Sequence, residues 1–213
     1  FTIFCFAILV NGSNFLDGLN GLLSGYYLMI ISSIFYVCTS NDSILFIHKE
    51  EIQIIFIALL IFFIFNIFGK VYLGDGGSYL IAAFIGFYLI GFVSNNLHIN
   101  ISPYYIAVLL WYPAFENLFS ICRRILKKND VSSPDKQHLH QMIFLYFKSK
   151  KFIKIKYLNT FSSIIILLFN FPIFVLSNLM ITHSQALVLM IIVNISLYIL
   201  VYDFISKNLK IEK

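Results

Sequence analysis

Residues 76–115 read GGSYLIAAFIGFYLIGFVSNNLHINISPYYIAVLLWYPAF and contain no Asp, Glu, Lys or Arg. A helix needs about 20 predominantly apolar residues to cross the hydrocarbon core of a bilayer. This run is therefore long enough for two crossings, and its polar seam SNNLHINISP (94–103) marks the turn between them. Further charge-free runs occupy 1–16, 18–41, 52–69 and 157–202, the last divided by THSQ (182–185). The spans that follow are 18–38, 52–68, 78–95, 103–121, 159–181 and 184–206. Residues 1–10 read as the end of a seventh, truncated span.

Composition points the same way. The 213 residues are 60% hydrophobic and only 12% charged, with a mean hydropathy of +0.87. Soluble domains carry about 25% charged residues, so the soluble globular class is excluded. The expected fold is an all-α, polytopic transmembrane helical bundle of six complete spans plus the truncated one, forming a single integral-membrane domain over 1–213. The first residues have no basic segment, starting Met or small-x-small cleavage pattern, so they do not read as a signal peptide. A chain opening on Phe1 inside an apolar run reads as lacking its natural beginning.

Basic residues set the orientation. Segment 122–158 holds 10 of the 15 Lys and Arg residues, and positive charge favours the cytoplasmic side. Alternation then puts 11–17, 69–77 and 207–213 on that side too, while loops 39–51 and 94–102, with only Lys49 between them, face outward. The net charge of +5 is explained by anionic headgroups, and no nucleic-acid partner is expected. Cys5, Cys38 and Cys122 are scattered, with no CxxC, and read as small packing residues.

Acidic residues at span edges are expensive and point to function. Asp17, Asp75 and Glu116 all fall at cytoplasmic ends. In GKVYLGDGGS (69–78), Asp75 is surrounded by Gly74, Gly76 and Gly77, which permit unusual backbone angles and close ligand approach. Ser78 is placed to cap the following helix. Two readings are open: a site for Mg²⁺ with phosphate, or a glycine turn whose acid merely caps. In NGSNFLDGLNGL (11–22), Asn14, Asp17 and Asn20 recur every third residue. If that region is helical they share a face and suit Mg²⁺; capping at the membrane boundary is the alternative.

Ser133-Pro134-Asp135 reads as a helix start. Leu139, Met142, Ile143 and Tyr146 continue at helical spacing, so an amphipathic interfacial helix is expected near 134–147. His138 and His140 fall in its first turns, as donors to an anionic ligand or as plain interfacial histidines. Zinc is not expected, for want of third and fourth ligands. In YPAFENLFSICRR (112–124), Glu116 and Arg123 lie seven apart on one helical face. The arginines suit phosphates or positive-inside anchoring, the reading preferred for Arg124.

In order, NGSNFLDGLNGL, FNIFGKVYLGDGGS, PAFENLFSICRR and SPDKQHLHQ resemble the polyprenyl-phosphate N-acetylhexosamine-1-phosphate transferases, the membrane glycosyltransferase 4 family that includes MraY, WecA and TagO. HLH in place of three consecutive histidines resembles the WecA/TagO branch and related O-antigen initiators. The resemblance implies transfer of a sugar 1-phosphate from a UDP-N-acetylhexosamine, GlcNAc-type, to undecaprenyl phosphate. UMP is released, in an initiating step of cell-envelope polysaccharide synthesis. It implies Mg²⁺, with Mn²⁺ as an alternative, an active site facing the cytoplasm from the bacterial inner membrane, and contact with membrane lipids; a homodimer is left open.

By motif matching, Asp75 and Asp17 are implied as metal-binding and catalytic, and His138 and His140 as catalytic. Asn14, Asn20, Asn66 and Arg123 are implied as substrate-binding. Asn20 stands where many members carry Asp, and Glu116 where Asp is usual. The family's adjacent Asp pair is absent from these residues and is expected upstream of Phe1, so these 213 residues alone are expected to be inactive. The alternatives are a multipass transporter or flippase for lipid-linked sugars, which would place paired charges in broken mid-membrane helices, and an inactive family remnant.

Overall fold

The computed structural model describes residues 2–45, 47–128 and 137–209. These form helices α1 (Thr2–Leu16), α2 (Leu22–Ser40), α3 (Lys49–Ile67), α4 (Gly74–Asn95), α5 (Pro103–Leu109), α6 (Trp111–Leu126), α7 (Leu139–Lys150), α8 (Ile155–Leu179) and α9 (Ser184–Asn208). No strand occurs among the described residues. α2, α3, α4, α8 and α9 are each long and apolar enough to cross a membrane, and α5 with α6 make a sixth, broken crossing. The chain is a multi-pass membrane bundle. α1 is a shorter apolar helix.

α2 is the central helix, packed against α3 and α8, while α1 is wedged between α4 and α6. α3 and α9 keep large apolar side chains on their outer faces, including Ile54, Ile61, Leu189 and Leu200, as lipid-facing helices do. The helices alternate in direction, and hydrogen bonds join their loops at each end. At one end Asn96 bonds both main-chain groups of Leu45 (2.7 and 2.9 Å) and Ser102 Oγ meets Ser184 Oγ at 2.8 Å. At the other, Asn20 N–H donates to Asn159 Oδ1 (2.6 Å) and Thr160 Oγ1 to the Ile67 carbonyl (2.6 Å). The turns 17–21 and 68–73, α7 and the start of α8 thus share one end.

Several expectations are corrected. The span expected at 103–121 is not straight: α5 and α6 meet at 72°. Pro113 has no N–H to offer the Leu109 carbonyl four residues back. Tyr26 Oη supplies the missing donor at 3.0 Å. The first full span starts at Leu22 rather than 18, because Gly21 turns with φ +81°. α4 starts at Gly74 rather than 78, and Ser78 is buried in its second turn instead of capping it. The expected interfacial helix begins only after His138, which is extended (φ −68°, ψ 148°). Ser133, Pro134 and Asp135 lie outside the described residues. Leu139, Met142 and Ile143 do share a buried face, packed on α8 and α9. Cys5 and Cys122 are exposed, against the packing role expected of them, while Cys38 is partly buried and does pack against the core.

α1 meets α6 where neither has room to spare. A Cβ on Gly12 would overlap the Pro113 carbonyl oxygen, the small-residue contact that lets membrane helices approach closely. Gly12→Ala should therefore push α1 from α6 and cost about 1–3 kcal/mol, the usual price of overpacking. Gly91→Ala, with nothing within 4 Å of its Cβ position, should leave the midpoint unchanged. Thermal unfolding of both variants in detergent checks the contrast.

Candidate active site

The first patch joins the end of α1 to the start of α4. α1 stops at Leu16, and Asp17 begins a turn through Gly21. Asp17 Oδ2 accepts the main-chain N–H of Gly74 at 3.1 Å, so a carboxylate from the turn after α1 closes the amino end of α4. Gly74 has φ +67°, a conformation costly for side chains with a Cβ. Asp75 follows in the first helical turn, exposed. Neither Gly74 nor Gly76 has anything within 4 Å of its Cβ position, which leaves a bare edge beside the two carboxylates. Asn14 ties the same helices: its amide donates to Tyr79 Oη (3.1 Å) and its Oδ1 lies 3.2 Å from Ser78 Oγ. Asn14, Asp17 and Asp75 are thus brought together.

Partial burial raises the Asp17 carboxyl to about 6; the Gly74 N–H opposes this, and the negative Asp75 adds to it. An unfolded Asp titrates near 3.9. The ligand-free fold therefore gains stability from this group as pH falls from about 6 to 4, and loses it as pH rises through that window.

Asn14, Asp17 and Asn20 do not share a helical face, since the helix has ended before Asp17. Asn20 instead serves a junction: its N–H goes to Asn159, and a Cβ on Gly69 would lie 3.0 Å from its Nδ2. Asn66 is buried, accepting from the Gly21 N–H (2.6 Å) and donating to the Val71 carbonyl (2.7 Å). Both ends of its amide hold backbone, so it clamps turn 17–21 to loop 68–73 instead of facing a ligand.

The second patch lies under the first. Glu116, 1% exposed, accepts from Tyr112 Oη (3.1 Å) and the Leu139 N–H (3.1 Å), and its Oε2 is 3.0 Å from His138 Nδ1. His140 Nδ1 is 3.9 Å from Oε1. The two imidazoles are parallel, 5.5 Å apart, and Phe15 stacks on His138 at 4.6 Å. Both histidines are buried, against the expectation of ligand donors on a surface helix. A Cβ on Gly18 would lie 2.9 Å from His140 Nε2, so the histidines abut the Asp17–Gly18 turn. Arg123, on the same face of α6 as Glu116, donates to the Gln137 carbonyl (2.6 Å) and Tyr202 Oη (2.8 Å). Arg124, expected as a positive-inside anchor, is buried.

Sequence reading missed Tyr112, Asn159 and Phe15. Tyr112 carried a signal, since it lies four residues before Glu116 and so on the same helical face. Among the described residues, no three His, Cys, Asp or Glu side chains gather as a metal cage.

Residues 1–93 match the family model described as Glycosyl transferase family 4. The similarity to that family therefore lies in the first 93 residues. The matched stretch holds Asn14, Asp17, Asn20, Asn66 and Asp75; Glu116, Arg123, His138 and His140 lie beyond it. The chain is 29% identical over 143 residues to a probable undecaprenyl-phosphate N-acetylglucosaminyl 1-phosphate transferase of Bacillus subtilis (strain 168), covering 65% of this chain and 38% of that protein. It is 31% identical over 142 residues to an undecaprenyl-phosphate alpha-N-acetylglucosaminyl 1-phosphate transferase of Thermotoga maritima, covering 67% and 42%. The enzyme of the same name from Escherichia coli K12 is 28% identical over 145 residues, covering 67% and 39%. The chain thus spans about two fifths of the length of the curated relatives it matches. No solved structure matches it.

Asn66→Ala would leave the Gly21 N–H and Val71 carbonyl without their partner. The expected cost is about 1–3 kcal/mol, read as a lowered unfolding midpoint in detergent. Asn20→Ala should cost less, because the bond from Asn20 to Asn159 is made by the main chain.

Proposed function

We propose that this chain forms part of a transferase that moves an N-acetylhexosamine 1-phosphate, GlcNAc-type, from its UDP-sugar to undecaprenyl phosphate. The observation that carries the reading is the meeting of Asp17 and Asp75 at the bare amino end of α4, in a chain whose relatives carry that activity in their names. A lipid-phosphate oxygen forms a bond to the sugar-bearing phosphorus. The bond from that phosphorus to the bridging oxygen of UMP breaks, and UMP leaves with the electron pair. Such transfers depend on positioning and electrostatics more than on covalent chemistry by the protein.

The donor set fits Mg²⁺. It is two hard carboxylates, with Asp17 pushed up to about 6 by burial and opposed to Asp75, and Mg²⁺ binds through one or two carboxylates while keeping sites for water and phosphate. Asp17 and Asp75 would hold it, with Mn²⁺ as a substitute; when bound, it supplies neutralisation of the diphosphate charge. Asn14 orients the Asp17 end of α1 through Ser78 and Tyr79. His138 and His140 place two imidazoles against the same turn, and Arg123 holds the chain leading into them. The proposal puts this end on the cytoplasmic side of a bacterial inner membrane, where UDP-sugars are available.

The transporter alternative gains one broken span, α5–α6. Its acid, Glu116, is bonded to Tyr112, His138 and Leu139 at the site's end, which suits a fixed scaffold more than a moving gate.

In the intact protein, Asp75→Asn should reduce UMP release from UDP-GlcNAc at least 100-fold with expression unchanged, because it keeps size and removes a charged oxygen. Retention of most activity across a Mg²⁺ titration would exclude Asp75 as a metal ligand. The Mg²⁺ concentration for half-maximal rate should rise as pH falls below about 6, where the proton competes for Asp17, and this dependence should vanish in Asp17→Asn. For sidedness, single cysteines at Asn41 and at the exposed Leu97 should react with an impermeant reagent in intact cells, and one at Lys128 should not.

A further inference from the structure

We propose that Glu116 is a positioning residue for the site: it fixes His138 with its proton on Nδ1 and seats His138-Leu139-His140 against the Asp17–Gly18 turn. Its effect on turnover rests on the transfer activity proposed above.

The geometry of the carboxylate is specific. Oε1 receives a phenol O–H and a main-chain N–H, and Oε2 faces an imidazole nitrogen at 3.0 Å. An ionised carboxylate is an acceptor only, and the phenol O–H and main-chain N–H on Oε1 place this group as an acceptor. His138 Nδ1 must then be the donor, and whenever the ring is neutral Nε2 is the nitrogen that carries the lone pair. This is how carboxylates orient histidines elsewhere: the partner of one ring nitrogen decides what the other can do.

The contacts do more than pack α7. Apolar burial of Leu139, Met142 and Ile143 already docks that helix, and a buried carboxylate adds a desolvation cost that apolar packing would avoid. Glu116 supplies the acceptor for the first N–H of α7, which the His138 side chain does not cap. Arg123, seven residues further along α6, grips the Gln137 carbonyl. One face of α6 therefore holds three consecutive residues, 137, 138 and 139. Phe15, two residues before Asp17, covers the His138 ring, and the Gly18 backbone leaves room for His140 Nε2. The carboxylate thus links the stacked imidazoles to the turn that bears Asp17, without itself lying in the Asp17–Asp75 patch.

The experiment uses the intact protein as wild type, Glu116→Gln and Glu116→Asp, with ¹⁵N-labelled histidine and the His138 signals assigned by their loss in His138→Gln. Wild-type His138 should show a protonated Nδ1 and an unprotonated Nε2. Glu116→Gln, which offers an N–H₂ group in place of one acceptor oxygen, should shift the ring toward the other tautomer. It should lower kcat for UMP release about 10–100-fold, the range for removing a partner that orients a functional histidine, with KM for UDP-GlcNAc within about threefold. Glu116→Asp should recover part of kcat and the wild-type tautomer, a rescue that loss of packing alone does not explain. A wild-type His138 protonated on Nε2 and not on Nδ1 overturns the proposal even if the variants fail to fold. So does a Glu116→Gln protein that keeps both tautomer and kcat. Absence of UMP release by the wild type would sink the transfer reading, while the nitrogen signals would still decide the role of Glu116.

Discussion

A carboxylate buried between membrane helices must find donors, because leaving it unpaired away from water is among the costliest arrangements a fold can contain. Glu116 meets that demand from three directions. Tyr112 answers from one turn earlier on α6; His138 and the Leu139 N–H answer from the segment that opens α7. The demand therefore brings the chain entering α7 beneath the end of α1. Phe15 and Gly18 then complete the enclosure from above. Satisfying one charge and assembling one end of the bundle are here a single event.

How far this was legible depends on which physics wrote the signal. The spans could be read because lipid forbids unpaired charge along a crossing, so charge-free runs fall where helices fall, within a few residues at most ends. The bend at Leu110 could not be read. Pro113 was visible, but the hydroxyl that makes the break tolerable comes from Tyr26, 83 residues away. The periodicity of Asn14, Asp17 and Asn20 misled because spacing speaks only inside a helix, and Gly18 and Gly21 release the chain from one.

Motif order identified the residues around the site but not their bonds. Nothing in FNIFGK shows that both ends of the Asn66 amide hold backbone. Nothing in ICRR shows that Arg124, and not its neighbour, is the buried one. Such facts arise from long-range packing, where a side chain's partner lies on another helix. Asp17 is an instance on the favourable side: the acid and the glycine turn were each singled out from sequence, while the bond that unites them, Asp17 to Gly74, joins residues 57 apart.

The close seat of Gly12 on Pro113 makes that crossing a fulcrum for α1. Helices rise 1.5 Å per residue, so Asp17 lies only about 7 Å beyond the pivot, while Thr2, at the far end of the described part of α1, lies about 15 Å before it. The short arm carries the carboxylate and the long arm lies among lipid and neighbouring helices. A sideways displacement of the far end reaches Asp17 at roughly half its size and in the opposite direction. The spacing of the two acids is thereby shielded from jostling in the bilayer, yet directly exposed to any change in how tightly the pivot closes.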